Sequence, residues 1–299
     1  MRKINLLMFV MLVITTLTSS KIVTDKEILE MGFDEETLAE LKEDKIAGAY
    51  GEVKLPACHG AMRIPTGYIF INRDRAHKLL AEYWNNPESS ITGLVGALVP
   101  NKALAYYQIG LAYVITYEKI GYVSDDDAND VDYDDLLKDM QTASKEANKA
   151  LPEDQRSEIV GWAISPKYVQ DKHFLVWAKE LDFGGARTLN YDMRILGKEG
   201  LVSINAVADM TDLMDIASSE EEFVNCFKYD SGYAYEDFDA SKDKVSEWTI
   251  GGLVAGSVLA KTGFFAKLGV LLLKFWKIIA VGVAAIGGGL FKKFKNKKE

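Results

Sequence analysis

The sequence predicts an α+β fold: an antiparallel sheet, largely a meander, with helices packed on it, followed by a C-terminal membrane helix. Three observations carry this expectation. Four runs of alternating apolar and polar residues follow one another in the second half, with glycines at their corners. Helical stretches stand in groups between strand runs, which argues against a doubly wound sheet. No stretch between residues 50 and 230 is rich enough in Gly, Pro or Ser to divide the chain, so a single domain is expected there.

In chain order, Arg2 and Lys3, the apolar run 4–17 and the small residues Thr18, Ser19 and Ser20 have the three regions of an export signal, so 1–20 is read as a signal peptide. An uncleaved anchor is the alternative, because no Ala-x-Ala site is present. Residues 25–45 read as a solvated, partly helical lead-in. Short strands follow at 52–55, 61–64 and 68–71, separated by Pro- and Gly-bearing turns. Asp74 is expected to cap a helix carrying Ala76, Leu79, Leu80, Tyr83 and Trp84. The stretch 106–123, rich in Tyr, Ile and Val, reads as two adjoining strands. Asp132 caps a second helix over 133–150, with Leu136, Leu137, Met140, Ala143 and Ala147 on one face. The meander then runs through 159–164, 173–181, 188–196 and 201–207. A last helix over 211–229 contains Ser219-x-x-Glu222, which has the form of a capping box.

The hairpin 188–207 is the most closely determined element. Leu189, Tyr191, Met193 and Ile195 alternate with Thr188, Asn190, Asp192 and Arg194, and Val202, Ile204 and Ala206 alternate with Ser203 and Asn205. A two-residue loop at Lys198-Glu199 sets Ile195 opposite Val202, Met193 opposite Ile204, and Arg194 opposite Ser203. Slipping by one residue would bury unpaired charges at a cost of several kcal/mol. The hairpin is therefore expected to have a buried apolar face and an open polar one. That polar face, extended by the preceding strand, is the candidate interaction surface: His173, Trp177, Asn190, Asp192, Arg194, Ser203 and Asn205. A solvated face, or one covered by a helix, is the plainer alternative.

Charge is informative once it is divided. Of the formal −9, residues 1–20 contribute +2 and residues 249–299 contribute +8, which leaves −19 on residues 21–248. So acidic a domain excludes nucleic acid as a partner, because phosphates need a basic surface. Residues 248–291 are read as a membrane anchor region and 292–299 as a basic cytoplasmic tail, leaving 21–247 as the extracytoplasmic domain. The anchor is unusual in that Lys261, Lys267, Lys274 and Lys277 interrupt it; the last three share one helical face. They point to snorkelling, to a partner helix, or to an interfacial segment, and Gly252-x-x-x-Gly256 permits close helix packing. Cys58 and Cys226 are too few for a disulfide framework and are read as two buried free thiols, a single bridge being the alternative.

Candidate chemistry is sparse. Asp125, Asp127 and Asn129 occupy the first alternate positions of a calcium loop, but the turn glycine and the closing glutamate are missing, so no metal is assigned there. The carboxylates of 125–135 are read instead as favouring the N-terminus of the helix that follows. His59, His77 and His173 show no metal-ligand spacing. No nucleophile elbow, P-loop, dinucleotide fingerprint or zinc-protease motif is present, and no cofactor is expected.

Several spaced motifs nonetheless occur in one order: Gly121-Tyr122-Val123 with Asp126-Asp127-Ala128, Gly161-Trp162, Pro166-x-Tyr168, His173-x-x-x-Trp177-Ala178, and Leu189-Asn190-Tyr191-x-x-Arg194-x-Leu196-Gly197. From about Gly51 onward the chain resembles a bacterial family of uncharacterised membrane-anchored proteins, domain of unknown function 2167. Lys198 stands where that family usually has Arg. The resemblance implies an exported, membrane-tethered domain with no assigned reaction. The expected role is an interaction or scaffold module at the cytoplasmic membrane, with the membrane, other envelope proteins or a second copy as partners. A metal-binding or hydrolytic domain using the acidic loop or His173 is the first alternative, and a self-assembling membrane-active protein the second.

Overall fold

The computed structural model of the chain describes residues 48–86, 88–103, 106–149 and 156–256, together with 21, 22, 26 and 30. The first strands are β1 (Lys21–Ile22), β2 (Ala49–Tyr50), β3 (Glu52–Leu55), β4 (Gly60–Arg63), β5 (Tyr68–Asn72), β6 (Leu94–Pro100) and β7 (Ala112–Glu118). They are followed by β8 (Glu158–Val169), β9 (Phe174–Phe183), β10 (Ala186–Leu196), β11 (Leu201–Asp209) and β12 (Phe227–Tyr229). Nine of these form one sheet in the order β1-β2-β5-β6-β7-β11-β10-β9-β8, and β12-β4-β3 form a second. Every strand pairing is antiparallel. The α+β expectation and the meander of β8 to β11 hold.

The hairpin register is the expected one: Ile195 faces Val202, Met193 faces Ile204, Tyr191 faces Ala206, Arg194 faces Ser203 and Asp192 faces Asn205. Gly197 N donates to Gly200 O (2.8 Å), which closes the Lys198-Glu199 turn. Tyr191, Met193 and Ile204 are fully buried beneath α3 (Leu213–Cys226) and the small sheet, where the Tyr113 and Phe223 rings stack at 3.7 Å.

The opposite face of the large sheet carries two helical caps. On one side α1 (Arg73–His77) continues as a wider π-type turn over Lys78–Tyr83, and Ala76, Leu79 and Leu80 pack on Ile69, Ile71 and Val99. On the other, α2 (Tyr133–Asn148) and α4 (Ile250–Ala255) pack on Leu175, Trp177, Leu196 and Leu201. Strand β8 lies at the sheet's edge. Pro166, three breaks in register and the Gln141 amide, which donates to Ile159 O (3.2 Å) and Val160 O (3.1 Å), blunt that edge against further pairing.

Several expectations are corrected. The α1 cap is Asn72, whose side chain accepts from Arg75 N, while Asp74 lies in the first turn. The 106–123 stretch supplies one strand, because 106–108 form a 3-10 turn and 119–123 run as irregular chain. The last helix ends at Cys226, and Phe227–Tyr229 leave it to pair with β4. Ser219 is not a cap; its hydroxyl bonds back to Asp215 O and Ile216 O inside the helix, a use open to any mid-helix serine. Residues 248–255 belong to the folded domain and not to an anchor: Ile250 and Leu253 are fully buried and Val254 nearly so. Gly256 ends that helix as a left-handed C-cap, φ 70°, which accounts for one of the two spaced glycines. Among the described residues no helix is long and apolar enough to cross a membrane, and the expected anchor beyond 256, its lysines and the signal peptide lie outside them.

Candidate functional site

Two neighbouring regions of the sheet's capped face gather the residues that the sequence singled out. The first is a corner built on His173. A 3-10 turn, Gln170–Lys172, follows β8, and His173 closes it with φ 49°, a left-handed conformation that few side chains adopt. The imidazole is stacked on Tyr235 at 4.1 Å, and Tyr235 is itself fixed by donating its hydroxyl to Val123 O (2.9 Å). Tyr168 Oη donates to Asp125 Oδ2 (2.9 Å) and lies 3.2 Å from His173 Nδ1. Since the single phenolic proton points to Asp125, the oxygen accepts from Nδ1–H. This puts a proton on Nδ1, so that in the neutral imidazole Nε2 is the nitrogen that carries the lone pair. On that side the nearest carboxylate is Glu236, whose Oε1 is 3.6 Å from Nε2. Burial first, and then the carboxylate of Asp125, push the Tyr168 phenol far above its ordinary range. Tyr168 is accordingly a fixed hydrogen-bond donor and no nucleophile.

Elements distant in sequence build this corner. Gly121, at φ 90°, lets the chain pass Lys244 so closely that a Cβ would stand 2.7 Å from the Lys244 carbonyl oxygen. Tyr122 then pairs with residues 244–246 through hydrogen bonds of 2.9 and 2.7 Å and stacks on Phe238 at 3.8 Å. Asp127 is used structurally, accepting from Ile250 N (3.3 Å) at the start of α4. Among the described residues no three metal donors converge, and Asp125 and Asp127 serve different partners.

The second region is a polar seam between the two helical caps. Strand register places Arg194, Ser203 and Thr116 on one rung, Trp177, Asp192 and Asn205 on the next, and Lys179 with Asn190 on a third. This is the face expected to be open, and it is not. Trp177 is 1% exposed, Ser203 4% and Asp192 7%, while Asn190, Asn205 and Arg194 are half-buried. Trp177 is covered by 120–131 and 248–255, which sequence alone presented as a strand end running into an acidic loop and as an anchor. Within the seam the charges offset one another: Lys179 is 3.8 Å from Asp192, Arg194 is 3.7 Å from Glu118, and the Arg194 guanidinium lies over the Trp177 ring at 5.2 Å. Among the described residues Trp177 Nε1 and Arg194 Nε have no hydrogen-bond partner. Of the other histidines, His59 stacks on Tyr233 at 4.0 Å and His77 bonds to Glu88, both away from the corner.

The structure thus joins His173 to Asp125, which the sequence had treated separately. It adds Tyr235 and Glu236, for which the only sequence signal is the aromatic density of Tyr229, Tyr233, Tyr235 and Phe238.

A domain built this way is an α+β protein with one large antiparallel sheet capped on both faces. The chain belongs to the family described as "Protein of unknown function (DUF2167)", whose profile matches residues 48–287. No curated protein matches it. Among solved structures it is similar to the solution structure of cyanobacterial PsbP (CyanoP) from Synechocystis sp. PCC 6803, with 7% identity, 60% of this chain and 91% of that chain covered, and a TM-score of 0.39. It is also similar to the crystal structure of LpqN, involved in cell envelope biogenesis of Mycobacterium tuberculosis, with 14% identity, 58% and 82% covered, and a TM-score of 0.28. Likenesses of this extent transfer neither fold nor function.

Proposed function

We propose that the chain is an extracytoplasmic domain held at a membrane by its C-terminal residues, with 292–299 in the cytoplasm, and that it works as an interaction or scaffold module of a cell envelope. The observation that carries the reading is the division of charge, −19 on residues 21–248 against +8 on residues 249–299, where the apolar run ends in a lysine cluster. Such a domain is repelled by anionic lipid, and lysines flanking an apolar run favour the cytoplasmic side. The proposed contact face is the His173 corner with the exposed Glu236 and the half-buried Asn190 and Asn205; Trp177, Asp192, Arg194 and Ser203 support it from beneath.

A photo-crosslinking side chain at position 236 of the full-length protein in its own membrane tests this. Position 214, exposed on α3 across the sheet, is the control. A discrete adduct from 236 and none from 214 is expected; none from 236, or the same from both, ends the reading. A tag at Glu299 that reacts with an impermeant reagent in intact cells would end the topology. The second reading, a domain with acid–base or metal chemistry, is favoured by one observation: the Asp125–Tyr168–His173 chain, which engages Nδ1 and turns Nε2 toward Glu236.

A further inference from the structure

We infer that His173 Nε2 and Glu236 Oε1 form a two-ligand site for a divalent transition metal of the Zn²⁺ class. The inference deepens the second reading above and rests on its tautomer. Zinc bound tetrahedrally to nitrogen and oxygen at about 2.0–2.2 Å holds those two donors about 3.4 Å apart. The two atoms stand at 3.6 Å, and Glu236, 68% exposed, is free to close the difference by a small side-chain rotation.

The imidazole is the better fixed of the two. Its position is set by three independent constraints: the left-handed backbone at φ 49°, the Tyr235 stack at 4.1 Å and the Nδ1 bond to Tyr168. A ligand held this way gives up little conformational freedom on binding. Metal-bound histidines donate their other ring N–H to a fixed oxygen, which raises the basicity of the liganding nitrogen. Here Tyr168 supplies that oxygen and Asp125 orients Tyr168, so the outer shell stands ready. The carboxylate of Asp125, 3.8 Å from Nδ1, adds a favourable field for a cation. Imidazole with one carboxylate selects Zn²⁺, Co²⁺ or Cu²⁺ over Ca²⁺ and Mg²⁺. Because two protein donors leave the remaining positions to water, the site is open and of modest affinity, consistent with the lack of any three-donor cluster among the described residues.

The test is titration of the chelator-treated full-length protein with Co²⁺, read by its visible absorption, and with Zn²⁺ by calorimetry, beside a ¹⁵N measurement of the His173 tautomer. One metal per chain is expected, not displaced by millimolar Ca²⁺. Affinity should fall at least about tenfold in His173→Asn, which tolerates the left-handed backbone, and in Glu236→Gln. A drop of about tenfold is expected in Tyr168→Phe, the effect of losing an outer-shell partner. Absence of saturable binding below about 1 mM, or unchanged affinity in His173→Asn, overturns the site. If Nδ1 alone carries a proton near neutral pH yet no metal binds, only the metal inference falls; if Nε2 carries one, alone or together with Nδ1, the acid–base reading falls as well.

Discussion

At the scale of single residues, two tryptophans of the His173 side, Trp162 and Trp177, make opposite use of the same indole N–H. Trp162 Nε1 donates to Tyr133 O (3.1 Å), tying β8 to α2, whereas the deeper Trp177 has no acceptor among the described residues. Replacing either by Phe removes about the same volume, worth about 1 kcal/mol as a cavity term. At Trp162 the change adds the loss of a hydrogen bond, about 1 kcal/mol more. At Trp177 it removes an unsatisfied buried donor, an offset of similar size. Trp162→Phe is therefore expected to lower the melting temperature more than Trp177→Phe, although Trp177 is the more buried; the reverse order in thermal melts would show that Trp177 Nε1 is satisfied. Register was legible here because a one-residue slip would bury Arg194 and Asp192 on the Met193 face. Whether the polar face stayed open was not legible. Arg194 and Asp192 are tolerated beneath a cap because each stands near an opposite charge, and the cap itself arrives from far along the chain.

At the scale of elements, α4 is the piece whose place in the folded domain its composition does not reveal. Thr249, Ile250 and the glycines that follow read as the start of an apolar anchor, and in composition alone a short buried helix and the head of a membrane run are the same thing. What separates them is local: the Thr249 hydroxyl accepts from Gly252 N (2.8 Å), Asp127 accepts from Ile250 N, and Gly256 turns left-handed. The helix is thus closed at both ends within eight residues. Ile250, Leu253 and Val254 are buried against Trp177 and Leu175, and each contributes about 1.5–3 kcal/mol by burial. Their sum is comparable with the whole stability of an ordinary domain. A chain ending at residue 247 is accordingly expected to stay unfolded, and one ending at 256 to melt cooperatively; circular dichroism of the two decides it, and a folded 247 form would show α4 to be dispensable. The strands were legible for the converse reason. Their alternation is a period of two that glycines punctuate, and Gly197 with Gly200 fixed the one turn on which the register depends.

For the whole molecule, the buried proton donors set how stability responds to alkali. Burial pushes the thiols of Cys58 and Cys226 from their ordinary 9.0 up to about 12, in agreement with both being free and enclosed in the main core. Burial likewise raises the Tyr117 phenol to about 12 and holds Tyr113, Tyr191, Tyr229 and Tyr235 above their usual range. A group raised in the folded state keeps its proton there after the unfolded chain has lost it. The folded form then holds the excess of protons, and stability falls as pH rises, starting at the unfolded value and ending at the folded one. For each thiol the window is 9 to about 12, with a limiting slope of about 1.4 kcal/mol per pH unit. The phenols begin to titrate toward the upper end of the interval from 9 to 10, so the thiols' share there is isolated by comparison with a variant that lacks them. Across that single unit the two thiols together are expected to cost about 2 kcal/mol, visible as a shift in the denaturant midpoint with little change near neutrality. The Cys58→Ala, Cys226→Ala double variant should begin less stable at pH 7, because it loses two buried sulfurs, yet lose about 2 kcal/mol less than the parent from 9 to 10. A double variant that declines as steeply as the parent over this interval would mean that the thiols are not protected in the folded chain.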